Sequence, residues 1–151
     1  MSAPQTGIAL VDAHRLVARA SALVAVLVQH AEAVELHEQY IDWLERHRVG
    51  IAQVFTSLAQ STGSVLVCCS AGKDRTGIVS ALLSDLWGCS LDEIGADYAA
   101  TGPALAERFA AERARSTDLE FTLIQQRCTP EIAVAVIEHV RTTYGGAAGY
   151  L

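Results

Sequence analysis

The chain has one lysine, Lys73, and no asparagine among its 151 residues. Without asparagine there is no N-glycosylation sequon. Long apolar runs are also missing. The richest, ALVAVLV at 22–28, lies between Arg19 and His30 and falls well short of the roughly 18 residues a membrane span needs. No basic patch precedes an early apolar stretch, so no secretory signal is expected. The net charge is −6 and the pI about 5.3. An acidic chain lacks the broad basic face of general nucleic-acid binding, and any anion site must be local. The histidines (His14, His30, His37, His47 and His139) are not paired with Cys or Glu at metal-ligand spacing, so no metal site is expected. The four cysteines are Cys68, Cys69, Cys89 and Cys128. Two of them are adjacent, a poor start for a disulfide framework. These features together predict a cytoplasmic chain with reduced thiols and no transmembrane segment.

Hydrophobic residues make up 51% and charged residues 19%, enough for one domain with a real core. A helix is expected over 12–30, where Leu16, Val17, Ala20, Leu23, Val24, Leu27 and Val28 recur at helical spacing. A second runs from 34 to 60, with a break near Gly50 and an apolar stripe of Ile51, Val54, Phe55, Leu58 and Ala59. SVLVCC at 64–69 is short, continuous and β-branched, as in a strand buried on both faces. A tight loop follows, then a helix over 76–87 closed by Gly88. Ser90 and Glu93 form a capping-box pattern that opens a short helix to Tyr98. Further helices are expected at 103–115, at 118–127, and at 130–143 with Pro130 at its first turn and Ile132, Val136, Ile137 and Val140 inward. The only other strand signal is a weak one, GIALV at 7–11. One buried strand cannot satisfy its own backbone groups, so part of the sheet is either hidden or missing.

The stretch VCCSAGKDRTG, 67–77, places a Gly-containing loop between strand and helix, the geometry of a phosphate cradle. A nucleotide-binding P-loop is excluded twice: Val67 stands where a Gly is needed, and Asp74 where Ser or Thr should follow Lys73. A nucleophilic loop fits. Five residues separate Cys69 from Arg75, a length that curls around one phosphoryl group with the sulfur at its base. Arg75 returns to the rim, where its fork can hold two oxygens. The helix N-terminus and Arg75 lower the thiol pKa, and Thr76 can donate a hydroxyl to the sulfur. Counting from Cys68 adds a residue and turns the thiol to the other side of the strand. Cys69 is therefore the expected nucleophile, and Cys68 a neighbour behind the loop.

CSAGKDRTG resembles the signature loop of the protein tyrosine phosphatase superfamily. Within it the run is most similar to bacterial tyrosine/serine and phosphoinositide phosphatases with an AGKDRTG loop. DYAATG at 97–102 and the terminal YGGAAGYL are similar to downstream segments of that group, and the helices before the loop resemble its lid region. The resemblance implies an α/β Cys-phosphatase fold, strongly helical here, of which the chain covers the C-terminal part without the strand-rich N-terminal half. It divides the single domain into a lid-like region at 12–60 and a loop-plus-helices region at 64–151. Cys69 and Arg75 become catalytic. Asp74 becomes the general acid, which an alkoxide leaving group requires. Ser70, Ala71, Gly72, Lys73 and Thr76 bind substrate, with Lys73 a rim cation suited to anions. No metal or other cofactor is implied. The family usually carries His before the nucleophile, where this chain has Cys68. Asp42 reads as a solvated helix-face residue, Asp97 as a structural hydrogen-bonding residue, and Cys89 and Cys128 as small apolar ones.

The leading expectation is a phosphomonoester hydrolase that forms a cysteinyl-phosphate and acts on a phosphorylated protein or a phosphoinositide. Two alternatives stay open. One is an inactive or partner-dependent half-phosphatase that joins a homo-oligomer or a complementing chain, since a bare sheet edge favours pairing. The other is a small-metabolite phosphatase.

Overall fold

Residues 35–151 are described by the structure, a computed structural model. The helix expected over 12–30 and the weak strand at 7–11 lie outside the described residues. Helix α1, Leu36–Gln60, buries Leu36, Tyr40, Leu44 and Ile51, one stripe of a helical period. It kinks at His47 (φ −114°, ψ 15°), three residues before the expected break.

The strand expected over 64–69 is not formed, and no strand occurs among the described residues. A strand exists by exchanging hydrogen bonds with a neighbour. This segment makes no backbone–backbone hydrogen bond to another described residue. Its side chains are correspondingly open: Val65 is 50% and Leu66 86% exposed. The described part of the α/β expectation is therefore all-helical.

After the loop, α2 spans Asp74–Leu86, starting two residues earlier than the pattern suggested. The Ser90–Glu93 capping box forms as expected and opens α3, Leu91–Ala99. The single helix expected over 103–115 is instead two, α4 (Thr101–Ala104) and α5 (Ala106–Arg113), divided at Leu105. Helix α6, Leu119–Gln125, is N-capped by Asp118, whose side chain accepts from the N–H of Phe121. Helix α7, Pro130–Tyr144, has Pro in its first turn and ends at Gly145 in the left-handed region. A last turn, α8, covers Ala147–Tyr150.

Helix α7 is the centre of the core and packs against α1, α2, α3 and α8. Its Ile132, Ala133, Val136, Ile137 and Val140 face inward. The C-terminus is sewn into the same core. Tyr150 is fully buried and its hydroxyl donates to the carbonyl of Leu44 at 2.7 Å. Asp85 of α2 accepts from Arg141 and from the N–H of Ala147, both at 2.7 Å. These ties fix α2 against α1 and α7, and so fix the loop that precedes α2.

Candidate active site

The loop from Cys69 to Asp74 enters α2 with nothing capping the helix. Lys73 holds the N-cap position but gives no side-chain cap. The first-turn N–H groups are thereby left for another acceptor. Gly72 has φ +75°, where a side chain would be strained, although nothing crowds its α-carbon. That single left-handed residue lets the loop reverse.

Cys69 sits half-buried at the base of this turn. Burial alone would push its thiol pKa up. The hydroxyl and N–H of Thr76, with the N–H groups of Ala71 and Gly72, more than offset this and bring it down to about 7. The Thr76 hydroxyl is buried and makes no hydrogen bond to a described residue, which leaves its proton open to the Cys69 thiolate. A thiol at about 7 is substantially thiolate at neutral pH, the state a nucleophile needs. Cys68, next in the chain, is exposed, and all four cysteines are unpaired.

Arg75 is partly exposed, and no hydrogen bond or ion pair to a described residue occupies its guanidinium. It is free to bind an oxyanion. Arg108 of α5 reaches the loop from outside. Its Nη1 donates to the carbonyl of Ser70 at 3.0 Å while its Nε pairs with Glu112 at 2.8 Å. Drawing that carbonyl outward helps keep the loop's amides, not its oxygens, facing in.

Lys73 is placed differently from the rim position expected of it. It is 3% exposed, with its ammonium turned inward. The ammonium lies 2.6 Å from Asp74 Oδ1, 3.0 Å from the Tyr40 hydroxyl, 3.4 Å from the Tyr98 hydroxyl and 3.3 Å from the Arg127 carbonyl. Burial, the largest influence, pushes the Lys73 pKa down, but the Asp74 charge and hydrogen bond together with Tyr98 and Cys128 outweigh it and the net shift is upward. Its charge thus faces Asp74 and the buried hydroxyls. Tyr40 donates to the same Oδ1 of Asp74. The Tyr40 phenol is held far above its ordinary pKa, first by burial and then by the Asp74 charge.

Tyr40, Tyr98 and Arg108 were not singled out from the sequence. Tyr98 lies within the DYAATG segment, which offered a signal without a role. Tyr40 carried none, because it sits in an unremarked helical stripe. Of the other acids weighed, Asp42 pairs with Arg46 one turn on, and Asp97 accepts from Ser80 of α2 at 3.1 Å. Among the described residues no cluster of His, Cys, Asp and Glu could hold a metal ion, and no helix is long and apolar enough to cross a membrane.

Residues 11–151 match the tyrosine phosphatase family. The chain is 37% identical over 126 residues to a tyrosine-protein phosphatase of Nostoc commune, an alignment covering 77% of this chain and 43% of that protein. The chain therefore spans less than half the length of this curated relative. No solved structure matches it.

Proposed function

The chain belongs to the tyrosine phosphatase family, and from that premise we propose that it hydrolyses phosphate monoesters through a cysteinyl-phosphate. The observation that carries the reading is the half-buried Cys69 sulfur at the base of the loop, with the N–H groups of Ala71, Gly72 and Thr76 turned to it. In this mechanism the Cys69 thiolate attacks phosphorus, the S–P bond forms and the P–O bond to the leaving group breaks. Asp74 supplies a proton to the departing oxygen. A water molecule then attacks phosphorus, its proton returns to Asp74, and the S–P bond breaks to give phosphate and thiolate. Arg75 and the amides of residues 70–75 hold the equatorial oxygens throughout. The step asks nothing of a metal.

The proposed substrate is phosphotyrosine in a protein, following the relative's name. Phosphoserine, phosphoinositides and small phosphorylated metabolites form the other arms of a substrate panel. With Lys73 buried, the case for a phosphoinositide no longer has a rim lysine behind it. The proposed location is the cytoplasm, where four unpaired cysteines stay reduced. The test is phosphate release from p-nitrophenyl phosphate, sensitive to vanadate and insensitive to EDTA. Full turnover by Cys69→Ser would sink the mechanism.

A second reading has its own observation. Residues 64–69 are β-branched and apolar, have no strand partner among the described residues, and leave Leu66 86% exposed. Such a segment is a template for an added strand. In this reading the chain works only when a second copy or a complementing polypeptide supplies that strand. Native mass measured beside activity across a dilution series decides it. An active monomer counts against it, and activity lost on dilution supports it.

A further inference from the structure

Two donors converge on one oxygen of Asp74. The Tyr40 hydroxyl and the Lys73 ammonium both reach Oδ1, and no described residue bonds Oδ2. The donors come from different parts of the chain: Lys73 is the immediate neighbour of Asp74, while Tyr40 lies on α1, 34 residues earlier. Lys73 and Tyr40 are both buried, at 3% and 7% exposure, whereas the Asp74 side chain is 40% exposed. One edge of the carboxyl is thus anchored in the core and the other faces out.

The proton bookkeeping is constrained. An ammonium only donates, and Tyr40's single proton goes to Asp74. The Tyr40 oxygen therefore accepts from Lys73, and the contact of 3.1 Å with Tyr98 is one in which Tyr98 donates. An oxygen that accepts from two donors has no place for a proton of its own. A protonated Asp74 must carry its hydrogen on Oδ2.

We propose that Tyr40 is a positioning residue for the leaving-group acid, fixing the Asp74 proton on Oδ2 and aiming that edge toward the departing oxygen. The inference rests on the phosphatase reading above and assigns Tyr40 a role within it. It also accounts for the inward turn of Lys73: the lysine holds the acid from below.

The readout is the dependence on leaving group. p-Nitrophenolate departs without a proton, whereas a serine alkoxide needs one. kcat/KM covers the steps only as far as departure of the leaving group, so the ratio of kcat/KM for p-nitrophenyl phosphate to kcat/KM for a phosphoserine peptide reports the leaving-group acid, free of the later hydrolysis of the cysteinyl-phosphate. Tyr40→Phe keeps the ring in the core and removes only the donor. It is expected to raise that ratio by about tenfold or more, in the same direction as Asp74→Asn. Tyr98→Phe removes a neighbouring buried hydroxyl that does not touch Asp74, and its ratio should stay near the wild-type value. Lys73→Met, which removes the other donor to Oδ1, should raise the ratio as Tyr40→Phe does, and keeps the test open if Tyr40→Phe does not fold. An equal fall with both substrates in Tyr40→Phe, or no change, overturns the inference. So does an equal rise of the ratio in Tyr98→Phe, which would mean general loosening. If Asp74→Asn leaves the ratio unchanged, Asp74 is not the acid and the inference falls with that assignment. If Cys69→Ser keeps full turnover, the parent mechanism is what has failed.

Discussion

Gly77 and Tyr98 are in contact at the first turn of α2. A β-carbon built on Gly77 would lie 2.9 Å from Cδ2 and 3.0 Å from Cε2 of the Tyr98 ring. The ring is buried, at 3% exposure, and cannot swing away. The missing side chain lets Tyr98 reach Lys73 beneath the loop. Gly77→Ala is therefore expected to destabilise the protein by about 1–3 kcal/mol, the cost of overpacking a filled site. Urea denaturation measures it, and an unchanged midpoint would show that the ring has somewhere to go.

The twin cysteines should part in their chemistry. Cys69→Ser is expected to bring turnover to background, while Cys68→Ser keeps most of it, because Cys68 is exposed and outside the ring of amides. Mass spectrometry after brief iodoacetamide treatment at neutral pH should find Cys69 labelled first. Preferential labelling of Cys68 would reverse the assignment.

The rate of Cys69 alkylation should rise with pH and reach half its maximum near 7. Thr76→Ala removes a hydroxyl that helps hold the thiol pKa down, so the midpoint should move upward toward the ordinary thiol value of about 8.5. The folded-state value lies below the unfolded one. The thiolate thus adds stability above the unfolded pKa, and that contribution is lost as pH falls through about 7. Wild type and Thr76→Ala should differ in melting temperature more at pH 9 than at pH 6. A midpoint that does not move in Thr76→Ala removes the hydroxyl from the account.

Tyr150 anchors the C-terminus to α1. Tyr150→Phe loses the hydrogen bond to Leu44 and should cost about 1 kcal/mol. Tyr150→Ala empties a fully buried aromatic site and should cost about 3–5 kcal/mol. Equal effects of the two in thermal denaturation would mean that the ring packs less well than its burial implies.

The parts legible in the sequence are those set by short range. The Ser90–Glu93 box, Pro130 at the start of α7 and the inward face of Ile132, Val136, Ile137 and Val140 all follow from spacing along one helix. The strand at 64–69 was misread because its residues carry the β pattern, whereas a strand also needs a partner that a local pattern cannot supply. Gly102 and Pro103 stand just before the division at Leu105, but a Pro there reads as the first turn of one helix and not as the end of a short one.

What the sequence determined by itself is the length and make-up of the loop. Five residues between Cys69 and Arg75, with a glycine between them and a helix after them, set the reach of the chain around one anion, and that reach is a local property of the backbone. Only the tertiary structure decided which way Lys73 turns. A lone lysine in a tight loop can face water or the core. It faces the core here because Tyr40 of α1, Tyr98 of α3 and the Arg127 carbonyl, brought together from distant parts of the chain, supply the acceptors that a buried ammonium requires beside Asp74.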